Sequence, residues 1–136
     1  MNTAINKSIV TLYNLEVIQH GDMALLKTLL SPNFINHSAM PGMPAGMDGL
    51  IYFFSEILHA AFSDLRVEIK DMLAEGNSVA TRKEITGKHT GELMGIPATG
   101  KQITIKVIDI LTLKDGMISA HSGENNFAGV IQSLQE

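Results

Sequence analysis

Cysteine is absent from the 136 residues. This removes any disulfide framework and any thiolate nucleophile or metal ligand. Basic residues are few: ten Lys and Arg stand against fourteen Asp and Glu. Arginine occurs only as Arg66 and Arg82, and the net charge is −4. The electrostatic footprint of a nucleic-acid binder is therefore missing. No run approaches the ~18 consecutive apolar residues of a membrane-spanning helix. Met1 to Asn6 lack the basic and apolar regions of a secretory leader. The expectation is a cytoplasmic protein with no membrane partner. Also missing are Gly-x-Gly-x-x-Gly, Gly-x-x-x-x-Gly-Lys-Ser/Thr and Gly-x-Ser-x-Gly, which argues against nucleotide-binding loops and serine hydrolase chemistry. The histidines are too scattered for a local His-x-x-x-His site, so neither a metal nor a cofactor is expected.

At 45% hydrophobic and 18% charged residues, the chain reads as a single globular domain spanning residues 1–136. Residues 3 to 20 place Ile5, Ile9, Leu12, Tyr13 and Val17 at helical spacing. Thr3 is a candidate cap, and Gly21 ends the run. Asp22 starts a short second helix that Ser31-Pro32 stops. Phe34 to His37 reads as a short strand, and Met40 to Gly46 as a loop. Residues 47 to 62 form an amphipathic helix carrying Ile51, Phe54, Leu58 and Phe62. From Leu65 the period changes to two. Strands are expected from Leu65, from Ser78 to Thr86, from Ile103 to Leu113 and from Met117 to Glu124. Lys114-Asp115-Gly116 makes a hairpin of the last two. Asn125 or Asn126 would cap a closing helix. Helices first and antiparallel strands after them argue an α+β fold.

Between the second and third long strands lies Gly87-Lys88-His89-Thr90-Gly91-Glu92-Leu93-Met94-Gly95-Ile96-Pro97-Ala98-Thr99-Gly100. It has too many breakers for a helix or an uninterrupted strand. The stretch resembles the Gly-Thr-His-Thr-Gly-Glu-Phe-Met-Gly-Ile-Pro-Pro-Thr-Gly signature of the SnoaL-like polyketide cyclases. Asn14 to Asp22, Phe34 to His37, Ala61-Phe62-Ser63-Asp64-Leu65 and Ala74-Glu75-Gly76 are also similar to that family. The resemblance implies the nuclear transport factor 2-like fold, a cone of curved antiparallel sheet wrapped by N-terminal helices. It also implies a cavity, cofactor-free acid/base ring closure and pairing through the convex sheet face. The expected partners are a small hydrophobic ligand and a second copy of the chain.

The family follows its last strand's His with Trp and places an acid/base Asp four residues later. Here the run is His121-Ser122-Gly123-Glu124-Asn125-Asn126, so Ser122 replaces the Trp and Asn126 falls where the Asp belongs. An amide cannot exchange a proton at neutral pH. Glu124, at the same parity, could supply the carboxylate instead, or be a solvated charge.

Asp109 breaks the apolar parity of Ile103, Ile105, Val107, Leu111 and Leu113. A carboxylate there must be paired, hydrogen-bonded or protonated. A raised pKa would suit a general acid or base; a structural buried Asp is the alternative. His37, His89 and His121 lie at or near strand ends. His121 has the opposite parity to Asn126, so only one of the two should face a cavity. Arg82 and Glu84 read either as a polar ligand edge or as an exposed ion-paired face. His20 and His59 read as helix-surface residues. Tyr13 and Phe54 are candidate apolar ligand contacts, and Met40 to Met47 a candidate lid. Three functions stay open: an acid/base enzyme using Asp109 or Glu124, a non-catalytic binding protein, and a dimerisation domain.

Overall fold

The computed structural model describes residues 2–136. Two long helical arms and a short helix precede most of a five-stranded sheet, giving an α+β fold. The first arm is α1 (Thr3–Leu12), which runs on into a π-helical segment, Tyr13–Gln19. Asn2, rather than Thr3, caps it by accepting from the Ile5 N–H at 3.0 Å. Gly21, at φ 78°, ends the arm. Asp22 caps α2 (Met23–Leu29) through Leu25 N–H. Strand β1 (Leu30–Asn36) follows directly.

The second arm is α3 (Met47–Tyr52), a π-helical segment (Phe53–Leu58) and α4 (His59–Ala61). π-Helical turns are frequent at functional positions. Here both segments face the same interior. His59, far from being a plain surface residue, bonds the Ile18 carbonyl at 2.7 Å and so ties the two arms together.

The sheet is β2 (Phe62–Glu75), β3 (Ser78–His89), β4 (Gln102–Lys114) and β5 (Met117–Asn125), in spatial order β1-β5-β4-β3-β2. Strands β2 to β5 are antiparallel, whereas β1 pairs with β5 in parallel. The β2–β3 register slips twice, between Ser63 and Arg66 and between Ile69 and Asp71, and the β4–β5 register slips at Thr112/Leu113. Bulges of this kind bend strands and increase twist, so the sheet curves. Its concave face carries Val79, Ile85, Ile103, Ile105 and Leu111 into the core. Helix α5 (Phe127–Leu134) closes the open end with Phe127, Val130 and Leu134 buried.

The glycine-rich stretch does what its composition requires. His89 ends β3, Leu93 and Ile96 exchange backbone hydrogen bonds at 2.9 and 2.8 Å, and β4 starts at Gln102. Thr90 and Gly91 N–H groups both donate to Ala61 O at 3.0 Å, docking the loop on the end of α4. A Cβ on Gly91 would lie 2.1 Å from Ala60 O. Gly91→Ala is therefore expected to destabilise the fold by about 1–3 kcal/mol. Urea unfolding should show a lower midpoint with an unchanged slope.

Candidate functional site

The curved sheet and the two arms enclose a cavity of about 150 Å³. Its walls are mostly apolar. Ile85, Ile105 and Val107 come from the sheet, and Phe53, Phe54 and Leu58 from the second arm. Tyr13 packs edge-on to Phe54 at 6.1 Å between ring centroids, and Phe53 packs edge-on to Phe127 at 5.8 Å. Met40, Met43 and Pro44 complete the lining.

One end of the cavity is polar. Lys83 and Asp109 project inward from neighbouring strands with side chains only 2% exposed, and Lys83 Nζ donates to Asp109 Oδ2 at 3.1 Å. The second carboxylate oxygen accepts from the Thr81 hydroxyl. His121 Nε2 lies 3.2 Å from Oδ2, and its Nδ1 lies 2.8 Å from Asn36 Oδ1. Lys83 also donates to Asn14 Oδ1 at 2.6 Å and sits 5.7 Å from the Tyr13 ring centroid, within cation–π reach. Asn14 comes from the π-helical turn of the first arm and anchors itself by donating to Val10 O at 2.9 Å.

Burial alone would raise the Asp109 pKa. The hydrogen bond from His121, the Lys83 charge and the Thr81 hydrogen bond outweigh it and hold the carboxyl well below the usual range. Of the states open to a carboxylate on that face, Asp109 is paired and hydrogen-bonded, an ionised hub. Burial pushes the Lys83 ammonium down, opposed by Asp109. Burial first, and the Asp109 charge second, push the Tyr13 phenol far up, so its hydroxyl stays a neutral donor.

The structure brings Asp109, His121, Tyr13 and Phe54 together around this cavity. It places the other predicted residues elsewhere. Glu124 lies on the opposite strand parity, paired with Ile108 and exposed. Asn126 accepts from the Lys106 N–H at 2.7 Å and fastens the end of the sheet. His37 is exposed; its backbone N–H donates to His121 O at 2.8 Å. His89 is fully buried, with Nδ1 accepting from the Thr99 N–H at 3.2 Å, which pins the signature loop. Arg82 pairs with exposed Asp71 at 2.7 Å. Lys83, Thr81 and Asn14 are not singled out by sequence. Lys83 lies at the parity of Val79 and Ile85, but the charged Arg82 and Glu84 on the other face of the strand mask it. Among the described residues, no three His, Asp or Glu side chains converge as a metal site.

Lys83→Met leaves the Asp109 charge buried without its cation and should cost about 3–5 kcal/mol. Lys83→Met/Asp109→Leu should recover most of that loss, which a double-mutant denaturation cycle measures. The acid dependence has a definite sign. Because the folded-state pKa of Asp109 is depressed, its ionised form contributes stability above the unfolded value of about 4. The stability gap between wild type and Asp109→Asn should hold from neutral pH down to about 5 and shrink as pH falls below about 4.

The sequence pattern of the SnoaL-like polyketide cyclases matches residues 8–134. The aklanonic acid methyl ester cyclase DnrD of Streptomyces peucetius is 28% identical over 111 residues, covering 79% of this chain and 72% of that protein. The aklanonic acid methyl ester cyclase DauD of Streptomyces sp. (strain C5) is 28% identical over 116 residues, covering 82% of this chain and 68% of that protein. Among solved structures, TsrD from Streptomyces laurentii superposes with a TM-score of 0.85 at 24% identity, over 98% of this chain and 97% of that one. With nearly its whole length inside the family pattern and its fold shared, this chain belongs to the SnoaL-like polyketide cyclase family.

Proposed function

We propose that the protein is a cofactor-independent enzyme that binds a mainly apolar, carbonyl-bearing small molecule in the cavity and moves protons to close or isomerise a ring. The carrying observation is the polar cluster of Asp109, His121 and Lys83 at one end of an otherwise apolar cavity. The relatives named as aklanonic acid methyl ester cyclases support ring closure as the reaction class. His121 is the proton-transfer group, since imidazole exchanges protons near neutral pH. Asp109 holds the ring and balances the charge of its imidazolium form. Lys83 and the Tyr13 hydroxyl stabilise the oxygen on which enolate charge develops. Glu124 and Asn126, outside the cavity, take no part in the transfer.

Proton exchange at the α-carbon is the simplest half of such a reaction. Cyclic ketones and β-keto esters incubated with the protein in deuterium oxide should exchange faster than in buffer, followed by proton NMR. His121→Asn and Asp109→Asn should each lower that exchange by at least about 100-fold. Exchange that survives both substitutions would sink the mechanism. A non-catalytic binding role is the second reading. It is favoured by the three donors on Asp109, which leave it a poor base. That reading requires a ligand that binds and emerges with its α-hydrogens unexchanged.

We further propose that two copies pair through the convex sheet face. Leu73, Ile108 and Ile110 lie there 71%, 58% and 47% exposed. Leu73 and Ile110 both register with Ala80, so the apolar stripe crosses three strands. Light scattering should give a dimer mass for the wild type and a monomer mass for Ile108→Lys/Ile110→Lys. A concentration-independent wild-type monomer would overturn this.

A further inference from the structure

We infer that the polar end of the cavity is an oxyanion site, and that the ligand is a small monoanion with a one-ring apolar body. Two chemistries present such a group: an apolar carboxylate, or the enolate of an acidic 1,3-dicarbonyl. The inference rests on the proposed function only in taking this cavity as the ligand's place.

Asn36 Oδ1 accepts from the Ser38 N–H at 3.0 Å, so it is the amide oxygen that faces His121. His121 Nδ1, 2.8 Å from that oxygen, must carry a hydrogen to bond it. His121 Nε2, 3.2 Å from Asp109 Oδ2, must carry one too. Both contacts are satisfied together only by the doubly protonated, cationic ring.

Lys83 repeats the pattern. Asn14 is oriented by its own bond to Val10 O, so the oxygen faces Lys83. The ammonium has three hydrogens. Asn14 and Asp109 take two of them, and the third has no acceptor among the described residues. The Tyr13 hydroxyl, on a side chain almost wholly buried, has no hydrogen-bond partner among them either.

The charge count follows. With its hydrogen bonds complete, the cluster holds two cations, Lys83 and His121, against the one carboxylate of Asp109. Tyr13 is neutral, and no other ionisable side chain lines the cavity among the described residues. One positive charge and two idle donors therefore face an apolar space. A buried charge calls for a counter-charge, and a buried donor for an acceptor. A single oxyanion supplies both.

Size restricts the rest of the ligand. A cavity near 150 Å³ holds about one benzene ring.

Isothermal titration calorimetry of the full chain at neutral pH tests this with matched pairs. One pair is benzoate and benzamide. The other is dimedone, ionised at neutral pH, and neutral 3,3-dimethylcyclohexanone. At least one anion should bind about ten-fold or more tighter than its neutral partner. Benzoate leading would assign a carboxylate, and dimedone leading an enolate. Lys83→Gln, which keeps hydrogen-bonding groups but not the charge, should abolish the preference. Tyr13→Phe, a change that preserves shape, should weaken the anion more than its neutral partner, because a hydrogen bond to a charged oxygen is the stronger one. Equal affinity within both pairs, no binding of any of the four at millimolar concentration, or a preference that survives both substitutions would overturn the inference. The two readings fail separately. His121-dependent turnover of neutral ketones without anion preference removes the oxyanion site alone. Anion preference without turnover removes the enzyme alone.

Discussion

The buried pair of Lys83 and Asp109 is the constraint that the interior is built to meet. Desolvating two charges costs several kcal/mol each, and their attraction offsets it only when the remaining lone pairs and hydrogens are also satisfied. Each compensation comes from a different element. Thr81 lies directly across the strand pair from Asp109. His121 reaches the same carboxylate from β5. Asn14 arrives from the opposite wall, on the first helical arm. Gly123, the β5 neighbour of Asp109, leaves the space free: a Cβ there would stand 2.7 Å from Asp109 Cβ. The polar cluster thus ties three strands and a helix to one another across an apolar interior.

The two π-helical segments answer to the same requirement. The first places Tyr13 against the cavity and Asn14 against Lys83. The second turns Phe53, Phe54 and Leu58 toward the same space. Bulges in β2 bend the sheet around them.

Much of the fold was legible. Alternation from Leu65, the Asp-Gly hairpin at Asp115-Gly116, and the Asp22 cap all report local geometry, and each appears in place. Strand ends were less legible. Strand β2 begins at Phe62, because residues with helical spacing up to Phe62 pass directly into pairing with His89. The parallel β1–β5 contact joins segments more than 80 residues apart, and no local pattern records such a pairing. π-Helical turns also share the apolar pattern of an α-helix.

The site was half legible, for a physical reason. Asp109 stood out because its neighbours of equal parity are Val107 and Leu111. Lys83 did not, because Arg82 and Glu84 make the other face of β3 equally charged, so parity could not say which face was inside. On β5 the resemblance drew attention to Glu124 and Asn126, but the inward parity there is His121, Gly123 and Asn125, fixed by pairing with β4.

That inward parity shows how the chemistry of this cavity can differ while its architecture holds. Two supports of the fold, Gly91 against Ala60 and the His89–Thr99 clasp, involve none of the residues of the polar cluster. Asn126, by closing the sheet against Lys106, does structural work at the place where the family pattern leads one to expect an acid/base. In the proposed mechanism the proton-transfer group is His121, whose side chain is 16% exposed. Asp109 holds that ring and Lys83 sets the field around it. The carboxylate inside this cavity is thus shared among a lysine, a threonine and a histidine, and the proposed proton transfer depends on the histidine that these neighbours fix in place.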